Sequence, residues 1–151
     1  MNPIATAIKQ IIESQGLTYL RSININDLNE QVGNTDLSGG CGVYTSVPEI
    51  ENLNYVGGTV VSNYSIEVYY LLPNNYTDDK GEQVDEILDI LKPKADEFFD
   101  KMRRNEIVSS RVLIEGYDLD AVETLKMTKE VLTGWRLRMV LPVDRSVFYC
   151  G

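Results

Sequence analysis

Two adjacent segments constrain this chain more than any other feature. Val60 to Leu72 is a strand-like run, and after a turn-rich break a long amphipathic helix runs from about Glu82 to about Arg104. In the strand, Tyr64, Ile66, Val68, Tyr70 and Leu72 share one face, and Ser65, Glu67, Tyr69 and Leu71 share the other. In the helix, Val84, Ile87, Leu88, Leu91, Ala95, Phe98, Phe99 and Met102 fall on one stripe. One apolar strand face and one apolar helix stripe bury each other when the helix lies on a sheet. Pro93 sits inside the helical pattern. The stripe keeps its phase across it, which predicts one kinked helix rather than two. The opposite side, with Glu86, Asp89, Lys92 and Asp96, is expected to face solvent or a neighbouring subunit. Acidic residues open the helix, and Lys101, Arg103 and Arg104 close it, as the helix dipole favours.

Around this unit the pattern gives one domain over residues 1–151. Asn2-Pro3 starts a short helix, with Ile4, Ala5, Ile8, Ile11 and Ile12 at helical spacing and Gly16 as its stop. Residues 17–25 read as a strand with Ile23 and Ile25 on one face, residues 27–32 as a helical turn, and 33–42 as a loop. Residues 43–47 read as a short strand stopped by Pro48, 49–58 as a polar connection, and 73–81 as a loop. Residues 107–115 read as a strand and 116–120 as a turn; 121–129 fit either a short helix or a loop. Residues 130–143 form the last long strand, with Thr133-Gly134 as a bulge. Its apolar face carries Trp135, Leu137, Met139 and Leu141, and Arg136 and Arg138 lie opposite. The expected fold is α+β: a two-layer domain whose mixed, mostly antiparallel sheet is covered by an N-terminal helix and one long kinked helix.

Charge and composition exclude more than they assign. With 23 acidic and 14 basic residues the net charge is −9, which disfavours binding through phosphates. An acidic wall is still suited to a passage along which DNA slides without sticking. The chain has no histidine, so the commonest general base and transition-metal ligand is missing. Cys41 and Cys150 have no metal-ligand spacing and read as free thiols, unless the fold brings their Cα atoms within the roughly 7 Å that a disulfide needs. The N-terminus has no secretory signal pattern, and no apolar run reaches the roughly 18 residues of a membrane helix. Nine tyrosines, against three Phe and one Trp, suit half-buried strand faces or protein contacts.

The local motifs carry no chemistry. Asp78-Asp79 with Glu82, Asp85 and Glu86 lacks the spacing and central glycine of a calcium loop and reads as a solvated helix start. Asp118-Leu119-Asp120 reads as a polar turn. Gly39-Gly40-Cys41-Gly42 has no histidine to activate the thiol. Gly57-Gly58 is not followed by the Lys-Ser/Thr of a phosphate loop. Lys101, Arg103 and Arg104 need only the helix end to explain them. Arg136 and Arg138 fit either a solvated sheet face or a salt bridge to an acidic neighbouring subunit. No catalytic, cofactor-binding or metal site is expected.

Four segments resemble the tail-terminator, or tail-completion, proteins of long-tailed bacteriophages and related neck-ring proteins. Met1-Asn2-Pro3-Ile4-Ala5-Thr6-Ala7-Ile8 is similar to their opening helix, and Ser65-Ile66-Glu67-Val68-Tyr69-Tyr70 to their central strand. Val84 to Met102 is similar to their sheet-covering helix. Leu132-Thr133-Gly134-Trp135-Arg136-Leu137-Arg138-Met139-Val140-Leu141-Pro142 is similar to their closing strand. The resemblance implies a structural virion protein rather than an enzyme. It implies a homo-oligomeric ring, usually a hexamer, that caps the tail tube and joins it to neck and head-connector proteins. The ring would surround the genome channel without reading sequence, assemble in the bacterial cytoplasm and end in the virion, with no cofactor and no membrane. Loops on a sheet scaffold commonly carry binding, so residues 33–42, 49–58, 73–81 and 146–151 are the expected contacts. The candidate interface residues are Tyr44, Tyr55, Asn74, Tyr76, Asp78, Arg136, Arg138, Phe148 and Tyr149. Two alternatives stand beside it: another neck, head-completion or ring protein of a phage, and a non-viral small-ligand-binding α+β module.

Overall fold

The computed structural model describes residues 2–23, 39–46, 50–56, 59–73, 80–110, 114, 116–123 and 132–148. The first helix, α1 (Pro3–Ser14), starts as its sequence dictates: the Asn2 side chain accepts from the Ile4 amide at 2.8 Å, and Pro3 occupies the first turn. Gly16 ends it with φ 76°. The Gly16 and Leu17 amides turn back to the Glu13 and Ile12 carbonyls, a Schellman closure that a left-handed glycine permits. Ile4, Ala5, Ala7, Ile8, Ile11 and Ile12 are all buried.

Six strands form one mixed sheet. They are β1 (Thr18–Arg21), β2 (Cys41–Tyr44), β3 (Ile50–Val56), β4 (Thr59–Pro73), β5 (Asp118–Glu123) and β6 (Leu132–Asp144). The order is β1-β2-β4-β6-β5, and β3 pairs with the first half of β4. Only β1 and β2 run parallel; the other pairs are antiparallel. β2 and β3 therefore share one edge of β4. Between them the Thr45 amide donates to the Glu67 carbonyl at 3.1 Å, and the Glu67 amide donates to Ser46 Oγ at 2.9 Å. Thr45 and Ser46 thus keep the β4 backbone at Glu67 paired on this edge, between the stretches taken by β2 and β3.

The second helix, α2 (Lys80–Arg103), runs unbroken past Pro93. Its Ile87, Leu91, Ala95, Phe98 and Met102 are buried with α1 against Tyr64, Ile66, Val68 and Tyr70 of β4 and Leu137, Met139 and Leu141 of β6. This is the α+β, two-layer arrangement read from the strand and the stripe. Proline removes the amide that would bond the Asp89 carbonyl. On the neighbouring turn, Trp135 Nε1 donates to the Leu88 carbonyl at 2.9 Å, so β6 anchors the helix beside that gap. Gln15, just past α1, ties the layers together. Its Oε1 accepts from the Tyr70 hydroxyl at 2.7 Å, its Nε2 donates to the Lys94 carbonyl at 2.7 Å, and Lys94 Nζ donates to the Gln15 carbonyl at 3.0 Å.

Several boundaries differ from the sequence expectation. β1 ends at Arg21, and Ile23 lies beyond it, 61% exposed; Ile25 and residues 27–32 are outside the described residues. β2 begins at Cys41, inside the expected loop, because Gly42 lets Ile12 of α1 lie directly on the strand: a Cβ there would fall 2.7 Å from Ile12. The expected polar connection 49–58 contains β3, whose Val56 pairs with Thr59 in a hairpin. Asparagines at 52 and 54 hide that strand from a propensity argument. Residues 107–110 form no strand; Val108 makes a single bridge to Val143. The expected turn at 116–120 gives way to β5 from Asp118. No bulge occurs at Thr133-Gly134, where Leu72↔Thr133 and Leu71↔Gly134 continue the β4–β6 register without interruption. Gly134 is required instead because a Cβ there would collide with the Tyr70 carbonyl oxygen. Asp96, expected on the solvent side, accepts a short hydrogen bond from Tyr117, whose ring also packs on Phe99.

Candidate interaction surface

The helices cover one face of the sheet, and the alternation of β4 and β6 sends every second side chain to the other face. The register lines up Asp120 of β5, Arg136 of β6, Tyr69 of β4 and Val43 of β2 in one row. The next row holds Asp118, Arg138 and Glu67, and the row beyond it Val140 and Ser65. At the β1–β2 end, this same face buries a small apolar cluster of Leu20, Cys41, Val43, Leu71 and Leu132.

The polar rows are knit by ion pairs. Asp120 Oδ2 accepts from Arg136 at 3.0 Å and from Arg138 at 3.2 Å. The Arg136 hydrogen bond leads the effects that hold the Asp120 carboxyl below its ordinary range. Asp120, followed by Tyr69, raises Arg136. Partial burial, helped by Glu67, raises the Tyr69 phenol. Glu67 also accepts from Thr45 Oγ1 at 3.0 Å. The result is a pre-ordered, charge-paired patch on a rigid sheet. Arg138, 46% exposed on its side chain, and Val140, 41% exposed, stand out from it. Exposed pairs of this kind add little stability, but they fix side-chain positions.

Of the residues picked from sequence, only Arg136 and Arg138 belong to this patch. Both pair within the chain, on Asp120, which neither sequence expectation for them included. Tyr44 is overturned as a contact: it is fully buried, and its ring stacks under the Arg21 guanidinium at 3.9 Å. Arg21 also donates to the Tyr44 and Ser46 carbonyls, both at 2.8 Å. Tyr55 lies in β3 opposite Val60, and Phe148 closes a 3-10 turn, Arg145–Phe148; the side chains of both lie outside the described set. Asn74, Tyr76, Asp78 and Tyr149 are outside the described residues altogether. Asp120, Glu67 and Tyr69 were missed. The usable signal was Asp118-x-Asp120 facing Arg136-x-Arg138: two period-2 charge alternations of opposite sign.

Cys41 is a free thiol buried in the small outer cluster, and burial pushes it up to about 12, so it is not a thiolate at neutral pH. Among the described residues no His/Cys/Asp/Glu group is placed to hold a metal ion, and no helix is long and apolar enough to cross a membrane. Protein-family models give no match to this chain, and no curated protein sequence is similar to it.

Proposed function

We propose that this chain is a structural protein of a tailed bacteriophage, a tail-terminator or neck-ring subunit that assembles as a homo-oligomeric ring, hexameric in the usual arrangement. One observation carries the proposal. The four segments that resemble that family, residues 1–8, 65–70, 84–102 and 132–142, are α1, the middle of β4, α2 and β6, which together build one core. That core is a platform, and the sheet face away from the helices carries a charge-paired patch, which suits contact with another protein. The ring caps the tail tube, presents a surface to the neck and surrounds the genome channel. A net charge of −9 suits a wall past which DNA must move freely. The protein acts without catalysis, in the virion, after assembly in the bacterial cytoplasm.

The test is native mass measurement followed by negative-stain imaging, alone and with tail tubes. Rings, or a monomer that assembles on tube ends, are the expected result. Phage lacking the protein should carry overlong or unjoined tails. A protein that stays monomeric and joins neither tubes nor neck rings refutes the proposal.

A further inference from the structure

Pro93 divides α2 into two halves that the rest of the subunit holds unequally. Proline has no amide to offer the Asp89 carbonyl, so the helical ladder lacks one rung at the division. Past Pro93 the ties are many. The Lys94 carbonyl accepts from Gln15 Nε2 at 2.7 Å, and Lys94 Nζ donates to the Gln15 carbonyl at 3.0 Å. Glu97 accepts from Gln15 Nε2 at 3.2 Å, Asp96 accepts from the Tyr117 hydroxyl, and Lys101 Nζ donates to Ser14 Oγ at 3.2 Å. Ala95, Phe98 and Met102 are fully buried there, and Phe99 packs on the Tyr117 ring.

Before Pro93 the hold is sparse. Among the described residues, the Trp135 indole on the Leu88 carbonyl is the one hydrogen bond that joins this half to another element. Of its described side chains, Ile87 and Leu91 are buried, while Ile90 is 54% exposed. Gln83 Oε1 is buried with no hydrogen-bond partner. That oxygen costs free energy as long as the half is seated, and opening returns it to water. A helix this short is marginal once it leaves the sheet, so the half that detaches also unwinds.

We infer that the half of α2 before Pro93 is a lid. It leaves the sheet as one cooperative unit, with Pro93 as its hinge and the Trp135–Leu88 hydrogen bond as its latch. The half after Pro93 stays fastened to α1 meanwhile. Opening bares Ile87 and Leu91 and frees the Trp135 indole, an apolar surface that the closed subunit withholds.

Native-state amide hydrogen exchange of the full chain tests this, read at residues 88–92 and at residues 98–102. The first set is expected to share one opening and to exchange at least about tenfold faster than the second, whose amides wait for global unfolding. Two variants separate a lid from a fold that opens all at once. Trp135→Phe keeps a ring and removes the donor. It should speed both sets roughly twofold to tenfold, because the latch is lost in either opening. Phe98→Leu trims a ring set edge-on to Tyr70, a contact that survives when the lid opens and is lost only in global unfolding. It should speed residues 98–102 by at least about threefold and leave residues 88–92 unchanged. If Phe98→Leu speeds both sets alike, or the two sets exchange at one rate in wild type, α2 opens only with the whole fold and there is no lid. A rate that falls smoothly from Gln83 through Pro93 is end fraying and overturns the hinge. A Trp135→Phe variant that leaves residues 88–92 unchanged overturns the latch.

Discussion

Replacing Gly134 by alanine tests how tightly the two longest strands are joined. The added Cβ would collide with the Tyr70 carbonyl oxygen, 2.8 Å from its carbon and 3.0 Å from Leu71 Cα. Carbon atoms in contact sit about 3.5–4.0 Å apart, so β4 and β6 must part locally by about 0.7 Å or more. Interstrand hydrogen bonds start near 2.9 Å and lose most of their strength at about 3.6 Å. Two ladder bonds adjoin the site, where Tyr70, Leu71 and Thr133 are all buried, so the released groups find no water. At roughly 1–3 kcal/mol per buried group left unsatisfied, the cost is about 3–5 kcal/mol. Alanine's lower backbone entropy returns about 0.5–1 kcal/mol. With a urea m-value of about 2 kcal/mol/M, the unfolding midpoint should fall by roughly 1–2 M, read by far-ultraviolet dichroism and Trp135 fluorescence. Gly39→Ala is the control, since a Cβ there meets nothing within 4 Å. If Gly134→Ala unfolds within about 0.3 M of that control at equal m-value, the close approach of β4 to β6 is not as described.

Gln15→Leu should destabilise the fold by about 1–3 kcal/mol, because it strands the buried Tyr70 hydroxyl and removes the added bond to the Lys94 carbonyl. Burial pushes the Tyr70 phenol well above its ordinary value, so it remains a donor in need of an acceptor. Adding Tyr70→Phe should then cost less than Tyr70→Phe does in wild type; a double-mutant cycle showing strict additivity would contradict this coupling. Asp120→Asn should weaken the arginine patch in a pH-dependent way. The folded carboxyl titrates below its unfolded value, so its contribution is present above the unfolded value, near 3.8, and is lost as pH falls through the lower folded one. The stability difference between wild type and Asp120→Asn should be flat above about pH 5 and shrink below about pH 4; a difference that grows with acid would reverse the assignment.

The helices and the two long strands were legible in the sequence because each has a period that one physical arrangement satisfies. The α2 stripe is buried along its length even though Pro93 interrupts its amides, since burial of the stripe depends on phase and not on one hydrogen bond. The short strands were harder. β3 carries Asn52 and Asn54, and it forms because β4 offers it an edge, which no local pattern announces. β5 looked like a turn because Asp118 and Asp120 favour turns. Their partners, Arg136 and Arg138, lie across a strand pairing that sequence order does not display. Gly134 read as part of a bulge, and only the backbone of β4 shows that a close approach requires it instead. Tyr44 misled for a similar reason. A tyrosine in a short strand beside a glycine-rich stretch looks like a contact residue, yet the sheet interior and Arg21 both claim it.

The long β4–β6 pairing also sets how the subunit responds to force. All thirteen residues of β6 face β4 in one uninterrupted antiparallel register. The hydrogen bonds of such a pair lie across the strands, so traction along the strand axis strains many of them together, while traction across it opens them one at a time from an end. The subunit is therefore stiff in one direction and compliant in another. The direction of an applied load decides whether it meets the shear direction of the sheet or its peeling direction.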